Sequence, residues 1–274
     1  MNKKNDFSSP AIETDSLEIL SEKLLQTTAE LFEANRLLKQ YEKERSEMLA
    51  NISHDLRAPI TAIRGALDLL SSHPDASPEE ILSTVQLLDR RTKTLEDLIQ
   101  DMYFLFTLEN SSASLNPETV PAAPFLEEYF FDISLNPLYD NHKLELDLPS
   151  DLPALIRIDI QKMLRVLDNL FTNAAKYSGD GTTITLHAEI LSENRQLMIE
   201  VADNGNGIPA DAVSHIFDRT YTVSRARTPG HTSGSGLGLC IVRTIIERFG
   251  GNITCISKEG EGCCFRILLP LASE

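Results

Sequence analysis

The sequence predicts an α+β protein in which a helical N-terminal part precedes a mixed α/β domain. Apolar residues spaced three and four apart run from Leu17 to Leu70, and a second amphipathic segment runs from Ile81 to Phe106. Beyond Thr119 the pattern changes to short alternating segments among glycines, which is typical of a mixed domain. The 274 residues are enough for two domains, and an apolar content of 42% can supply their cores.

The charge balance narrows the classes of partner. The chain has 25 Lys+Arg against 41 Asp+Glu, a formal net charge of -16. Binding nucleic acid or an anionic membrane would call for a basic patch, so we expect neither, and a small-molecule or protein partner is favoured. No run approaches the roughly 18 apolar residues of a membrane span, and no apolar segment follows the lysines at the start. We therefore expect a soluble, cytoplasmic chain without a membrane span.

The cysteines do not predict a metal site. Their spacing matches neither a zinc site nor the disulfide framework of a small secreted protein. We expect reduced core residues at the four positions Cys240, Cys255, Cys263 and Cys264.

The first helical segment has the pattern of a coiled coil. Its apolar positions are Leu17, Leu20, Leu24, Thr27, Leu31, Ala34, Leu38 and Tyr41, with Glu, Lys and Arg between them. A seam of this kind predicts a dimer; the alternative is a long amphipathic helix that packs on its own chain. Because a proline inside a helix removes one hydrogen bond, Pro59 predicts a disturbance of the helix beside His54.

The second helix is predicted to fold back on the first. Ser71 to Pro78 is loop chemistry, with Ser77 as a helix cap and Pro78 in the first turn. Two helices joined by a short loop form a hairpin, and two hairpins form a four-helix bundle. Ser111 to Thr119 then reads as a hinge between domains.

The mixed domain begins with three predicted strands and one helix, followed by a glycine-rich stretch, a last helix that Gly250-Gly251 ends, and two closing strands. Strands are predicted at His142–Leu148, Thr182–Leu191, Gln196–Ala202, Asn252–Ser257 and Cys263–Leu269, and a helix at Asp159–Tyr177. The last two of these strands follow the last helix and close the domain.

That central helix carries an amide-rich face. Asn169, Asn173, Lys176 and Tyr177 share one side, whereas the core positions Met163, Leu164, Leu167, Phe171 and Ala174 share the other. An asparagine carbonyl suits Mg²⁺ and a lysine can offset phosphate charge, although a solvated helix face would show the same pattern.

Two glycine-rich segments add weaker signals. Asp203-Asn204-Gly205-Asn206-Gly207 follows an apolar strand, and its carboxylate could accept a hydrogen bond from an amino group such as that of adenine. Gly234-Ser235-Gly236-Leu237-Gly238 leads into a helix, whose free N–H groups can bind phosphate. Each segment alone is weak evidence, but their fixed order is much stronger.

Five motifs together resemble those of the sensor histidine kinases of two-component signalling. Ser53 to Ile60 looks like their H box, Asp168 to Ser178 like the N box and Asp203 to Gly207 like the G1 box. Ile216 to Arg219 resembles the F box and Gly234 to Leu239 the G2 box, so the resemblance covers about Arg45 to Leu271.

The resemblance implies a helical hairpin that forms a dimeric four-helix bundle, followed by an α/β two-layer sandwich. That ATP-binding (GHKL, or Bergerat) fold is shared with gyrase B, MutL and the large heat-shock chaperones. The resemblance also implies a division of the chain into four segments. These are a coiled-coil signalling helix (1–44), a dimerisation and histidine phosphotransfer hairpin (45–110), a hinge (111–119) and a catalytic domain (120–274).

The resemblance also implies roles for single residues. Asp203 would bind the adenine amino group, Asn173 would hold Mg²⁺ with help from Asn169, and Lys176 and Tyr177 would contact phosphate and nucleotide. The G1 and G2 positions that would close on ATP are Gly205, Gly207, Gly234, Gly236, Leu237 and Gly238. The lid would be Pro209 to Ser233, and any of three arginines, Arg219, Arg225 and Arg227, could reach the γ-phosphate.

His54 would be the phosphoacceptor, and Asp55 would orient it or take its proton. Because the core series skips position 54, we expect His54 to point outward. The remaining five histidines are interpreted as ordinary surface or core residues. The implied partners are a second copy of the chain, a separate response regulator, and either an upstream sensor protein or an input region absent here; a constitutive kinase is the further alternative.

Two positions depart from the family pattern. Thr220 stands where the F box usually has a second aromatic residue, and Ala58 stands where related kinases often have Thr or Asn. Two rivals to the kinase are an ATPase that drives clamping and a silent dimeric adaptor. The first needs a carboxylate base where this chain has Asn169, and the intact boxes argue against the second.

Overall fold

The computed structural model describes residues 11–73, 75–109, 115–218, 221 and 236–272, without the side chains at 11–19, 44, 45, 48, 51, 54, 108 and 109. The chain divides into two compact units, Met1–His54 and Asp55–Glu274. Within the described part of the chain, no helix combines the length and apolar character needed to cross a membrane.

Helix α1 spans Ala11–Ser72. In the unit that ends at His54, three leucines of the predicted seam face solvent within a single chain; Leu24, Leu31 and Leu38 are 70%, 69% and 60% exposed. The helix continues through Pro59, and the predicted disturbance beside His54 stays a prediction. A proline removes one hydrogen bond, and the bonds of the neighbouring turns maintain the helix.

Helix α2 spans Pro78–Glu109 and begins with the predicted cap. The Ser77 hydroxyl accepts a hydrogen bond from the backbone N–H of Glu80 (3.2 Å), and the Glu80 carboxylate accepts one from the backbone N–H of Ser77 (2.8 Å). This reciprocal pair is a capping box, which satisfies two N–H groups that the helix itself leaves unpaired. The helical hairpin predicted from the sequence is confirmed.

The α/β domain has the elements β1 (Glu118–Pro121), α3 (Ala122–Ser134), β2 (Lys143–Asp147), β3 (Leu155–Ile158), α4 (Ile160–Tyr177), β4 (Thr183–Leu191), β5 (Gln196–Asp203), α5 (Ala210–Val213), α6 (Gly238–Arg248), β6 (Asn252–Lys258) and β7 (Gly262–Pro270). All five predicted strands and both predicted helices are present. The elements β1, α3, β3 and α5 were not predicted.

A five-stranded sheet forms one layer of the domain. Its order is β2-β4-β5-β7-β6, and only β2 and β4 run parallel. Helices α4 and α6 pack on each other and on the sheet, and β1 pairs with β3 in a separate antiparallel ribbon. The structure is therefore the predicted two-layer α/β sandwich. Strand β1 begins at Glu118, inside the segment 111–119 that we interpreted as a hinge.

Candidate nucleotide-binding and phosphoacceptor site

Helix α4 has one face in the core and one polar face, as predicted. The Asp159 carboxylate accepts from the backbone N–H of Lys162 (3.2 Å) and caps the helix. The buried residues are Met163, Val166, Leu167, Leu170, Phe171 and Ala174, whereas the predicted core residue Leu164 is half-buried. On the opposite face Asn169 and Asn173 are half-buried, and Lys176 and Tyr177 are exposed.

Asn169 faces the beginning of α6. Its Nδ2 donates to the backbone carbonyl of Arg165 (2.8 Å), which fixes the side-chain amide. A Cβ added at Gly238 would lie 2.5 Å from Asn169 Oδ1. A side chain at position 238 would therefore displace the Asn169 amide from this place. The structure thus brings the amide-rich face of α4 next to the glycine-rich start of α6, which are about 70 residues apart in sequence.

Asp203 lies at the end of β5, where its carboxylate is held by backbone donors. It accepts from the N–H of Gly205 (2.9 Å) and from the N–H of Cys263 on the neighbouring strand β7. Burial raises the pKa of Asp203, and these hydrogen bonds and the nearby His142 partly oppose that shift. Because a carboxylate has about four lone-pair positions, two backbone donors leave capacity for a further donor.

The turn after Asp203 is bound to the end of α4. The Asn204 side-chain carbonyl accepts from the backbone N–H of Thr183 (2.7 Å), and Asn206 Nδ2 donates to the carbonyl of Tyr177 (3.0 Å). Gly205 lies directly against Ser178, where a Cβ would overlap the backbone. Gly207 belongs to the same turn. Sequence reasoning missed Asn204 and Asn206 as the residues that hold this turn, although their alternation with Gly205 and Gly207 was a readable signal.

The start of α6 contains the last residues of the second glycine-rich motif. Leu237 precedes the helix and is 1% exposed, and Gly238 is its first residue. The first N–H groups of a helix lack partners inside the helix and favour anions. Gly236 is described as well, whereas Gly234, Thr220 and the arginines Arg219, Arg225 and Arg227 lie outside the described residues.

The segment between the two glycine-rich motifs anchors one aromatic residue in the sheet layer. Ile216 is buried, and the ring of Phe217 meets that of Phe265 on β7 edge to face, with centroids 6.2 Å apart. The ring of Tyr221 lies 5.7 Å from that of His215. The F-box resemblance therefore coincides with a packed contact at Phe217.

The candidate phosphoacceptor lies in α1. The backbone of His54 is helical, but its side chain is outside the described residues, so its predicted outward direction remains a prediction. Asp55 is half-buried and Ala58 is exposed. Because four residues make about one helical turn, Ala58 lies on the same side of α1 as position 54.

These residues fit a nucleotide with a hard cation. A half-buried carboxylate with spare acceptor capacity at Asp203 suits an amino group, and the amide oxygen of Asn169 faces a helix start that suits phosphate. Amide oxygens are also ligands that Mg²⁺ accepts, and Asn173 follows Asn169 by one turn on the same face.

Two family models match the chain. Residues 44–111 match the His Kinase A (phospho-acceptor) domain, and residues 158–273 match the histidine kinase-, DNA gyrase B- and HSP90-like ATPase. The first match contains His54, and the second contains all the candidate nucleotide residues.

Known proteins agree with both matches. The Sensor protein kinase WalK of Staphylococcus saprophyticus is 32% identical over 239 residues, which are 85% of this chain and 37% of WalK. The chain thus spans well under half the length of this relative.

Two solved structures share the fold. The Acinetobacter baumannii histidine kinase AdeS superposes with a TM-score of 0.63 at 24% identity, covering 80% of this chain and 98% of AdeS. The histidine kinase ThkA, solved in complex with the response regulator protein TrrA, superposes with a TM-score of 0.65 at 23% identity, covering 82% of this chain and 61% of that one.

Proposed function

Because the chain belongs to the sensor histidine kinases of two-component signalling, we propose that it is an ATP-dependent protein-histidine kinase. It autophosphorylates His54 and transfers the phosphoryl group to an aspartate of a separate response regulator. The observation that carries this proposal is the approach of Asn169 Oδ1 on α4 to Gly238 at the start of α6. Asp203 lies at the end of strand β5, in the same domain. Three motifs far apart in sequence thereby line one candidate site.

On the nucleotide side, each residue has a distinct task. Asp203 accepts a hydrogen bond from the adenine amino group, and Asn173 holds Mg²⁺ together with Asn169. Lys176 and Tyr177, both exposed at the end of α4, contact phosphate and nucleotide. The glycines of the two motifs and Leu237 let the first turn of α6 approach the phosphates with its backbone N–H groups. A Mg²⁺ ion held by these asparagines would offset phosphate charge.

On the phosphoacceptor side, the neutral imidazole of His54 is the nucleophile. A ring nitrogen forms a bond to the γ-phosphorus while the bond to the bridging oxygen of ADP breaks. Asp55 orients the imidazole and receives the proton that the ring loses. Histidine suits this step because its neutral form is well populated near pH 7.

The assembly we propose is a homodimer held by α1 and α2. The exposed leucines at positions 24, 31 and 38 support it, because they fall on the heptad seam and none of the residues that the structure describes covers them. Light scattering should report a dimer at micromolar concentration, and a monomer would contradict this part of the proposal.

We propose a cytoplasmic protein whose further partner is a receiver domain. The complex of ThkA with TrrA supports a regulator as partner, because ThkA shares the fold of this chain. The input would come from a separate sensor protein or from a region outside this sequence. The acidic composition continues to disfavour nucleic acid as a partner.

The direct test is incubation with γ-phosphate-labelled ATP and Mg²⁺. We expect an acid-labile phosphoramidate at His54, identified by peptide mapping, followed by transfer of the label to added receiver domains. His54→Gln should not be labelled, whereas the matched surface change His73→Gln should be labelled like the parent. Equal labelling of His54→Gln and the parent would refute the assignment.

A further inference from the structure

Two thiols lie side by side behind the candidate nucleotide site. Cys255 on β6 and Cys263 on β7 have their Sγ atoms 3.4 Å apart. In the pairing of the two strands, Cys255 is opposite Phe265 and Cys263 is opposite Ser257, so the cysteines are diagonal neighbours. The burial alternation of both strands places them on the inner face of the sheet. Neither thiol takes part in the proposed function.

Cys263 is directly connected to Asp203. The two residues are paired across β7 and β5, and the backbone N–H of Cys263 donates to the Asp203 carboxylate. The preceding residue, Gly262, has a φ of 99°, and a Cβ there would overlap the carbonyl oxygen of Asp203. The start of β7 therefore lies directly against the backbone of Asp203, and we expect a shift of Cys263 to move Asp203 as well.

We propose that Cys255 and Cys263 form a redox-sensitive pair, which a hydroperoxide converts to a disulfide that weakens nucleotide binding. The first half of this proposal, disulfide formation, is independent of the function of the protein. The second half rests on the proposed nucleotide site at Asp203.

The more accessible thiol reacts first. Cys255 is half-buried on β6, which is an edge strand of the sheet, whereas Cys263 is 7% exposed. The hydrogen bond with Cys255 and burial raise the pKa of Cys263, which keeps that thiol protonated and makes it a poor first nucleophile.

The oxidation is balanced with one hydroperoxide. The Cys255 thiolate attacks a peroxide oxygen, the O–O bond breaks, and an alcohol leaves, or water when the oxidant is hydrogen peroxide. Cys263 then attacks the resulting sulfenic acid, loses its proton, and expels hydroxide as water. Two thiols lose two electrons and the peroxide gains them.

Bond formation should move the strands as well as the side chains. The sulfur atoms are 3.4 Å apart and must approach to about 2.0 Å, and diagonal neighbours on adjacent strands lie about 7–8 Å apart, at the upper limit for a disulfide without backbone movement. Because β6 is an edge strand and β7 is held between β5 and β6, the pull acts on Cys263 and on the N–H that it donates to Asp203. Weakening the contact between the Cys263 backbone and the Asp203 carboxylate should lower nucleotide affinity by about tenfold.

The test compares reduced and peroxide-treated full chain. Peptide mapping after alkylation of free thiols should show a Cys255–Cys263 disulfide, and calorimetry with ADP and Mg²⁺ should show weaker binding that a thiol reductant restores. Cys264→Ser, which changes the adjacent residue on the outer face, should respond like the parent. Cys255→Ser should bind ADP equally before and after peroxide, and Cys255→Ala is the second variant if serine lowers the folded fraction.

The possible outcomes test disulfide formation and its effect on nucleotide binding separately. Peroxide treatment that oxidises Cys264 without linking Cys255 to Cys263 would overturn the proposal. A disulfide that leaves ADP affinity unchanged would overturn the effect on binding alone. If the reduced parent does not bind ADP, the nucleotide half fails together with the proposed function, whereas the disulfide is judged by peptide mapping only.

Discussion

Arg165 of α4 forms an ion pair with Asp101 of α2, with Nη2 of the arginine 2.5 Å from Oδ1 of the aspartate. The ring of Phe104 completes this contact, because the Arg165 guanidinium lies 4.0 Å and the Lys162 amine 4.7 Å from its centroid. Leu105 is fully buried beside them. The C-terminal part of α2 is therefore docked on the α/β domain through charge, aromatic and apolar contacts.

Replacing Arg165 should weaken this docking without affecting the nucleotide site. Both side chains of the pair are partly exposed, at 29% and 20%, so we expect Arg165→Ala to lower the free energy of unfolding by only about 1–2 kcal/mol. Nucleotide affinity should be retained, because Asn169 is held by the backbone carbonyl of Arg165. Denaturant unfolding and calorimetry measure the two effects.

The control for that change is Arg243→Ala. Arg243 pairs with Glu247 on the surface of α6, with both side chains more than half exposed, so its removal should have little effect. Equal losses of stability in the two variants would show that the contact between α2 and α4 contributes nothing beyond a surface pair.

Asp203→Asn should weaken ATP binding by roughly ten- to a hundredfold. A charge-assisted hydrogen bond to the adenine amino group is worth about 1.5–3 kcal/mol, and an amide replaces it only in part. Calorimetry with residues 117–274 and with the full chain measures the change. The control is Asp211→Asn, an exposed carboxylate in α5, which should bind like the parent. Equal affinity of Asp203→Asn and the parent would remove Asp203 from the site.

The same substitution should not destabilise the ligand-free protein. Since burial raises the pKa of Asp203, its protonated form is favoured by folding. That contribution is present at acidic pH and is lost as the pH rises through the raised pKa, so at pH 7 the charged carboxylate opposes folding.

We therefore expect ligand-free Asp203→Asn to unfold at pH 7 with a free energy at least equal to that of the parent. The difference in free energy of unfolding between the variant and the parent should shrink as the pH is lowered towards 4. Thermal unfolding across this pH range tests the sign, and a variant that is less stable at pH 7 but equal at pH 4 would contradict it.

Asp55→Asn should separate phosphoryl transfer from nucleotide binding. The substitution removes a group that accepts the His54 proton, and general-base assistance contributes about a hundredfold or more in rate. ATP affinity should stay unchanged. Quench-flow labelling of His54 measures the rate, with Asp68→Asn on the exposed surface of α1 as the matched control. If Asp55→Asn is labelled at the rate of the parent, Asp55 does not take part in the proton transfer.

Ala58 predicts a kinase with poor phosphatase activity. In related kinases a Thr or Asn one turn after the histidine positions the water that attacks the phosphorylated regulator, and a methyl group cannot do so. Because Ala58 is exposed, Ala58→Thr should fold normally and accelerate decay of the phosphorylated regulator by on the order of a hundredfold in the presence of ADP.

The matched control for that change is Ala50→Thr, an exposed position one turn on the other side of His54. It should leave the decay rate unchanged. Rapid decay with the parent, unaffected by Ala58→Thr, would show that another group positions the water.

The sequence by itself determined the elements whose residues carry a local period. The 3.6-residue pattern of α4 predicted which side is core, and the Ser77-Pro78 start predicted the cap of α2. The helix period and the cap depend on neighbours within a few positions of the chain, so one sequence is enough to find them. The candidate nucleotide residues came from the resemblance of the ordered motifs to those of the sensor histidine kinases.

Only the tertiary structure decided which distant residues meet. The ion pair of Asp101 with Arg165, the contact of Asn169 with Gly238 and the position of Cys263 behind Asp203 each join separate elements. The β1–β3 ribbon was missed because four-residue strands carry too little pattern to be recognised before they pair. Strand register and helix docking arise from burial and hydrogen bonding across long loops, and no local period encodes them.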